Sequence, residues 1–249
     1  MSIILGALLG LAAAASAATT NTNLQTAFPA SSGTSALAAV KTIAAGATFD
    51  GGMYQWDRSP STCNEQAEGG DSDAVFLLED GAVLSNAIIG PNNGEGVHCL
   101  GTCTLNNVWW TDVCEDAATF KGTSSSGISY VNGGGARNAE DKVLQHNGAG
   151  TVAVKNFWAD TVGKVYRSCG NCDSQYARHS TFNNIYVTGA DVVAGVNGNY
   201  GDTTYIYSSC VDGAICWEYE GNDSGAEPSK TASGPTGTAC TTASIKTSC

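Results

Sequence analysis

Six charged residues recur along the chain at a nearly regular interval. They are Glu95, the pair Glu115 and Asp116, the pair Asp141 and Lys142, and Arg167. The interval is roughly 20 to 25 residues, a length typical of stacked supersecondary units, and equivalent positions of a solenoid stack on one face. The six side chains would then form a column, acidic at one end and basic at the other, which could hold a cation beside a bound anion.

The acidic end of this column has the chemistry of a calcium site. Glu95, Glu115 and Asp116 carry the hard oxygen ligands that calcium requires. Asp141 would add a fourth carboxylate. Taken singly, Glu95 is more often a solvated turn residue, but the adjacent pair Glu115 and Asp116 is a stronger signal. Side chains alternate along a strand, and two carboxylates at one site repel each other unless a cation relieves the repulsion.

Lys142 and Arg167 form the basic end. A lysine close to an arginine and a divalent cation is expected to have a lowered pKa, because neighbouring positive charge disfavours its protonated form. A lysine of this kind can act as a general base. The alternative is an ion pair between Lys142 and Asp141 or Glu140 without a catalytic role. The spacing of the residues leaves both interpretations open.

The elements that must position these residues are short β-strands. Helical periodicity is absent beyond about residue 40, and short β-rich runs closed by Gly or Asn recur instead. A motif centred on Asn repeats at residues 84–89, 105–110, 154–158 and 182–187. The second interval between its asparagines equals the sum of the first and the third, so we expect this long interval to contain two coils.

A recurrent Asn suits the corner of a coil, because Asn tolerates left-handed backbone geometry. Stacked Asn side chains can also bond one another as a ladder. A β-sandwich has turns about every 8–12 residues and does not predict a repeat as long as this one. The sequence therefore predicts an all-β, single-domain, right-handed parallel β-helix with capped ends.

The ends of the chain suggest processing and capping segments. Residues 1–17 resemble a secretory signal peptide, with an apolar run too short to span a bilayer and a small-residue cleavage pattern at Ala15-Ser16-Ala17. Residues 18–40 and the tail 221–249 are rich in small residues and are expected to cap a β-helix that spans 41–220. We therefore expect a secreted, extracellular protein.

The ten cysteines agree with an oxidising destination. Cys169 and Cys172 could be half of a zinc site or a redox pair. No second C-x-x-C follows and the chain has three histidines, so disulfides are the favoured interpretation.

The net charge of −12 argues against nucleic acid and an anionic membrane surface as partners. Seven of the eleven basic residues nevertheless lie between residues 121 and 178. This clustering favours a small anion or an anionic polymer that is bound locally. Lys121 and Arg178, the first and last of the seven, are predicted to contact that ligand. A monomer is expected by default.

Several stretches of the chain match the motifs of one known family. They comprise residues 41–46, 48–51, 75–81, 88–90, 96–99, 108–116, 133–136, 141–148 and 166–172, of which VWWTDVCED at 108–116 and DKVLQHNG at 141–148 are the most specific. On these motifs the chain resembles the secreted microbial pectate lyases of polysaccharide lyase family 3. The resemblance covers roughly residues 41 to 220. It implies a parallel β-helix and calcium-dependent β-elimination of de-esterified polygalacturonate to unsaturated oligogalacturonides.

The resemblance also implies roles for individual residues. Glu115 and Asp116 match calcium carboxylates of the family. Glu95 stands where members often have Asp, a change that keeps the charge and lengthens the reach. Glu68 corresponds to a further acidic residue of the site, and we assign it to substrate binding.

Lys142 matches the proposed base and Arg167 its neighbour, although the two roles could be reversed. Elimination removes a proton from C5, next to the uronate carboxylate, and calcium bound to that carboxylate would stabilise the developing enolate. A cationic base works when it is deprotonated, so we expect an alkaline optimum.

Two other classes of function compete with this interpretation. A polygalacturonan hydrolase would need two carboxylates as acid and base, and Glu115, Asp116 and Asp141 could serve. A noncatalytic carbohydrate-binding or elicitor protein could use the same scaffold. An unsaturated product that absorbs ultraviolet light distinguishes a lyase from both.

Overall fold

The structure, a computed structural model, describes residues 19–249, so the predicted signal peptide lies outside the described residues. These residues form eighteen β-strands. The strands are β1 (Thr34–Leu37), β2 (Lys41–Ile43), β3 (Thr48–Asp50), β4 (Gln55–Arg58), β5 (Phe76–Leu78), β6 (Ala82–Ile89), β7 (Val97–Cys99), β8 (Cys103–Trp110), β9 (Asp116–Phe120), β10 (Ile128–His146), β11 (Gly150–Lys155), β12 (Trp158–Ser168), β13 (Arg178–Asn183), β14 (Tyr186–Asn197), β15 (Thr203–Val211), β16 (Ala214–Glu220), β17 (Ser229–Ser233) and β18 (Cys240–Lys246). Short 3-10 turns occupy Asp71–Asp73 and Gly198–Tyr200. No helix among the described residues is long and apolar enough to span a membrane.

The strands stack in parallel into a β-helix of about eight turns. Only β16 and β17 pair in an antiparallel sense among the paired strands of the described region. One face, called the site sheet, consists of β2, β5, β7, β9, the last parts of β10, β12 and β14, and β16. The prediction of an all-β parallel β-helix is confirmed.

Asparagines with left-handed backbone geometry form one corner of the coils. Asn86, Asn107, Asn156 and Asn184 have φ angles of 54° to 59°. Asn107 Nδ2 donates to Asn86 Oδ1 at 3.0 Å, and Asn184 Nδ2 donates to Asn156 Oδ1 at 2.7 Å. The Asn ladder expected from the sequence is therefore present.

The ladder is interrupted where the sequence spacing doubles. Gly133 lies between Asn107 and Asn156 in the register and has a φ angle of 68°. A Cβ atom there would lie 2.8 Å from Thr22 Cα, and Asn156 Nδ2 donates to Thr22 O at 2.7 Å. The long interval between Asn107 and Asn156 thus contains two coils, and the amino-terminal segment replaces the missing rung.

The predicted end segments pack against the helix in different ways. Phe28 packs edge-on against Trp109, with 5.3 Å between ring centroids, and Arg137 lies 4.3 Å from the Phe28 ring. This part of the amino-terminal segment therefore covers one side of the β-helix. In the tail, β18 pairs in parallel with β15, so strand stacking continues beyond residue 220.

All ten cysteines form disulfides. The prediction of disulfides, rather than a zinc site or a redox pair at Cys169 and Cys172, is confirmed. The pairs are Cys63–Cys114, Cys99–Cys103, Cys169–Cys172, Cys210–Cys249 and Cys216–Cys240.

His146 is buried among aromatic side chains in the interior of the β-helix. His146 Nδ1 lies 2.9 Å from Tyr166 Oη, and Nε2 lies 3.2 Å from Ala149 O. Neighbouring rings are Phe120 and Tyr166, at centroid distances of 6.3 and 6.0 Å. Burial, reinforced by the positive charge of Arg178, lowers the pKa of His146 to about 3.

His146 should make stability depend on pH. Because its pKa is about 6.5 in the unfolded chain and about 3 in the folded protein, only the unfolded state binds the proton between these values. Stability contributed by neutral His146 is complete above pH 6.5 and falls by roughly 1.4 kcal/mol per pH unit as the pH drops towards 3. We expect His146→Gln to lose less melting temperature between pH 7 and pH 4 than the wild type. An equal loss in both proteins would contradict this account, and His179→Gln, at a partly exposed histidine, is the control.

Candidate active site

The register of the site sheet brings the charged residues of the sequence repeat onto neighbouring coils. Val97 pairs with Ala118, which puts Glu95 level with Asp116. Asp116 pairs with Lys142, and Lys142 pairs with Lys164. The expected column is therefore present at these positions.

Arg167 departs from the expected column. It pairs with Gln145, which lies beyond Lys142 on the same strand. The fourth member of the column is Lys164, which the sequence analysis did not select. Lys164 follows Lys142 at the interval of the charged repeat, and this spacing could have identified it.

Three glutamates form an acidic cluster at one end of the site. Glu68, Glu95 and Glu115 each offer a carboxylate oxygen, and these oxygens all lie within 4.8 Å of one another. Glu95 and Glu115 are buried, whereas Glu68 is exposed on a loop. Burial and the negative charge of Glu115 raise the pKa of Glu68. Glu68, which the sequence predicts to bind substrate, is therefore a candidate cation ligand.

The loop that carries Glu68 is fastened next to Glu115. The disulfide Cys63–Cys114 joins the loop to the residue before Glu115. Gln66 Nε2 also donates to Cys114 O at 2.5 Å. These two links explain how an exposed loop residue reaches carboxylates that belong to the β-helix.

Two buried carboxylate oxygens in this region have unused bonding capacity. Within the described residues, Glu115 Oε2 and Asp116 Oδ1 have no hydrogen-bond partner. Burial, together with the charge of Glu115, raises the pKa of Asp116 well above its usual range. Buried polar atoms are normally paired, and oxygen ligands suit calcium. The residues present therefore fit a divalent cation.

Lys142 faces three carboxylates. Its Nζ atom lies 2.6 Å from Glu115 Oε1, 2.9 Å from Asp141 Oδ2 and 3.5 Å from Asp116 Oδ1. Burial alone would lower the pKa of Lys142, but these negative charges outweigh burial and raise it. The protein's own charges therefore raise the pKa of Lys142, and the lowering expected from the sequence would require a bound cation that offsets these carboxylates.

Asp141 lies on the lysine side of the site. Its Oδ2 contacts Lys142, and its Oδ1 accepts a hydrogen bond from Lys164. Burial tends to raise its pKa, but the two lysines dominate and lower it. Both carboxylate oxygens have lysine partners, so the structure does not bring Asp141 into the acidic cluster as the predicted cation ligand.

Arg167 is held by an aromatic ring and an amide, without a carboxylate partner among the described residues. Its guanidinium carbon lies 3.9 Å from the centre of the Tyr219 ring, and Nη1 donates to Asn197 Oδ1 at 3.2 Å. Burial lowers the pKa of Arg167. A Cβ atom at Gly170 would lie 2.3 Å from Arg167 Nη2, so glycine is needed for this close approach.

A cleft of about 250 Å³ joins these groups. It is lined by Gln66, Glu68, Glu115, Asp141, Lys142, Gln145, Lys164, Arg167, Gly170, Asn171, Tyr219, Glu227 and Pro228. The sequence did not predict Tyr219, Glu227 and Pro228 as cleft residues, because they lie outside the repeat of charged residues. Glu227 and Pro228 belong to the tail segment, which therefore forms one wall of the cleft.

Lys121 and Arg178 occupy different environments from those expected of substrate ligands. Lys121 donates to Asp71 Oδ1 at 2.7 Å and lies beside His98, and its side chain is 30% exposed. Arg178 is completely buried. Its guanidinium donates to the carbonyl oxygens of Gly148, Cys169 and Asn147. The substrate contact predicted for Arg178 is wrong, because the side chain bonds the backbone inside the fold.

Replacing Arg178 should test this structural role. Arg178→Met would leave buried carbonyl oxygens without donors, and we expect it to lower the free energy of unfolding by about 3 kcal/mol or more. Denaturant unfolding measures this loss. Lys155→Met, at an exposed position, should change stability little. A stable Arg178→Met protein with a raised KM would instead support the substrate contact.

Comparison with known proteins agrees with this fold. A family model described as pectate lyase matches residues 25–226. The probable pectate lyase D of Emericella nidulans is 51% identical over 213 residues, which cover 84% of this chain and 80% of that protein. The catalytic domain of pectate lyase PelI from Erwinia chrysanthemi matches with a TM-score of 0.65 and 29% identity, covering 86% of this chain and 98% of that chain. PelI in complex with tetragalacturonic acid matches with a TM-score of 0.63 and 31% identity, covering 80% of this chain and 69% of that chain.

The family match and the shared parallel β-helix fold identify the class of protein as a polysaccharide-degrading enzyme. The chain belongs to the pectate lyase family. The resemblance inferred from the sequence motifs is confirmed, and family membership favours a lyase over a hydrolase or a noncatalytic binding protein.

Proposed function

We propose that this protein cleaves de-esterified polygalacturonate by calcium-dependent β-elimination and releases unsaturated oligogalacturonides. The observation that carries the proposal is that two members of the three-glutamate cluster, Glu68 and Glu115, line one cleft together with Lys142 and Arg167. The PelI complex with tetragalacturonic acid supports a galacturonan as the substrate class. A negatively charged protein can bind this polyanion where cations lie at the contact.

We assign the cation to Glu68, Glu95 and Glu115, with Asp116 behind them. Glu115 Oε2, which has no hydrogen-bond partner among the described residues, supports this assignment. When bound, calcium would supply positive charge next to the uronate carboxylate, where negative charge develops during elimination. The four carboxylates come from a pinned loop and two coils, so they are largely preorganised.

The basic side of the cleft handles the proton and the substrate carboxylate. We assign removal of the C5 proton to Lys142 Nζ, which lies next to the acidic cluster. Calcium held by Glu115 and Asp116 would offset the negative charges that raise the pKa of Lys142, so that the amine could lose its proton and accept the one from C5. The electrons of the C5–H bond then form the C4–C5 double bond. The C4–oxygen bond to the leaving sugar breaks with its electron pair on that oxygen, which takes up a proton from water. Arg167, which has no carboxylate partner among the described residues, would bind a uronate carboxylate. The reverse assignment of these two residues is the alternative.

Removal of calcium should abolish this activity reversibly. We expect ethylene glycol tetraacetic acid to stop the rise in ultraviolet absorbance on polygalacturonate, and added calcium to restore it. Glu115→Gln should need more calcium for half-maximal activity, because it removes a buried negative charge from the site. Full activity in the presence of the chelator would contradict the calcium assignment. Release of reducing ends without ultraviolet absorbance would contradict elimination.

Substitutions of the two basic residues should separate their roles. Loss of a general base costs about 10²- to 10⁴-fold, so we expect Lys142→Ala to lower kcat by that factor with little change in KM. Arg167→Lys should chiefly raise KM, because it removes the planar guanidinium that pairs with a carboxylate. Lys155→Ala is the control for loss of one positive charge. The opposite pattern of kcat and KM changes would reverse the assignment.

We also propose that the protein is secreted and acts as a monomer. Five disulfides support an oxidising, extracellular destination. Detection of processed protein in culture medium and its mass in solution would test these two points.

A further inference from the structure

A buried histidine lies directly behind the acidic cluster. His98 is 1% exposed, and its Nε2 atom lies 3.0 Å from Glu95 Oε2. An ionised carboxylate can only accept a hydrogen bond, so Nε2 carries a proton and donates it to Glu95. His98 is absent from the residues that line the cleft. Its contact with the site therefore runs through Glu95.

The other side of the His98 ring is held by an exposed ion pair. His98 Nδ1 lies 2.7 Å from Asp71 Oδ1 and 3.0 Å from Lys121 Nζ. Lys121 Nζ lies 2.7 Å from the same Asp71 oxygen. The side chains of Asp71 and Lys121 are 46% and 30% exposed, respectively. These contacts fix the rotation of the ring, and hence the direction in which Nε2–H points.

The second oxygen of Glu95 is also held. The backbone N–H of Gly69 donates to Glu95 Oε1 at 2.6 Å. A Cβ atom at Gly69 would lie only 2.8 Å from that oxygen, so the close approach depends on glycine. Because donors hold both oxygens, Glu95 keeps one orientation towards Glu68 and Glu115. Groups that orient a metal ligand in this way commonly change metal affinity when they are removed.

We propose that His98 is a positioning residue for the cation site, and that Asp71 and Lys121 act with it by fixing its ring. The three residues would set the calcium affinity of the free protein through the orientation of Glu95. Lys121, which the sequence analysis assigned to substrate, belongs to this group. The inference rests on the proposed function, because it requires that Glu95 binds the cation.

The direct test is calcium binding by the protein without substrate. We expect His98→Leu, which fills similar space without a donor, to raise the calcium Kd by about 10- to 100-fold in calorimetry. The calcium concentration for half-maximal activity should rise by the same factor, while kcat at saturating calcium stays close to that of the wild type. His98→Gln keeps an N–H donor near the Nε2 position and should recover most of the affinity.

A second variant tests the exposed pair without altering the buried ring. The double variant Asp71→Ala/Lys121→Ala keeps the net charge, so a change in affinity cannot come from a changed total charge. We expect its calcium Kd to rise by a few-fold to about 10-fold. If His98→Leu does not fold, this variant still tests whether fixing the His98 ring sets the calcium affinity. His179→Leu, at a partly exposed histidine that bonds Thr203, is the matched control and should bind calcium as the wild type does.

Four outcomes would overturn all or part of the inference. A folded His98→Leu protein with the wild-type calcium Kd would show that the histidine does not position Glu95. An unchanged Kd in the double variant would remove Asp71 and Lys121 from the mechanism. A reduced kcat at saturating calcium with an unchanged Kd would assign His98 to a later step. A wild-type protein that binds no calcium would overturn the proposed function as well.

Discussion

Mutual repulsion among buried carboxylates is the constraint on which the site depends. Glu95, Glu115 and Asp116 are each at most 3% exposed, and stacking of the coils puts them side by side. Buried charges of one sign are costly unless opposite charges or hydrogen bonds compensate them. Lys142 contacts two of these carboxylates and His98 contacts the third. The basic side of the site thus also stabilises the fold.

The repeat explains why so much of the architecture could be predicted. The chain returns to the same face of the solenoid once per coil, so equivalent positions stack and their spacing is visible in the sequence. Asn86, Asn107, Asn156 and Asn184 revealed the corner, and the doubled interval correctly indicated a further coil. At that coil, Gly133 occupies the position of the missing Asn, and Thr22 packs against it. This arrangement was not predictable, because Thr22 belongs to a distant segment outside the repeat.

The same spacing was less reliable for side-chain environments. It placed Glu95, Asp116 and Lys142 on one face, but it could not give the pKa of Lys142. That pKa depends on distances of 2.6 to 3.5 Å to three carboxylates. For Arg178, the sequence predicted a substrate contact that the structure does not show. Its position in a basic stretch suggested a ligand, whereas a buried guanidinium that bonds backbone carbonyls leaves no distinct signal in sequence composition.

Loops complete the site with groups that the repeat does not encode. The disulfide Cys63–Cys114 brings the loop of Glu68 and Gly69 over the coils, and Gly69 then holds Glu95 from the side opposite His98. A carboxylate held by donors on both oxygens loses little conformational freedom when a cation binds, which favours binding. The β-helix therefore provides the spacing of the ligands, and the loop and the buried histidine provide their orientation.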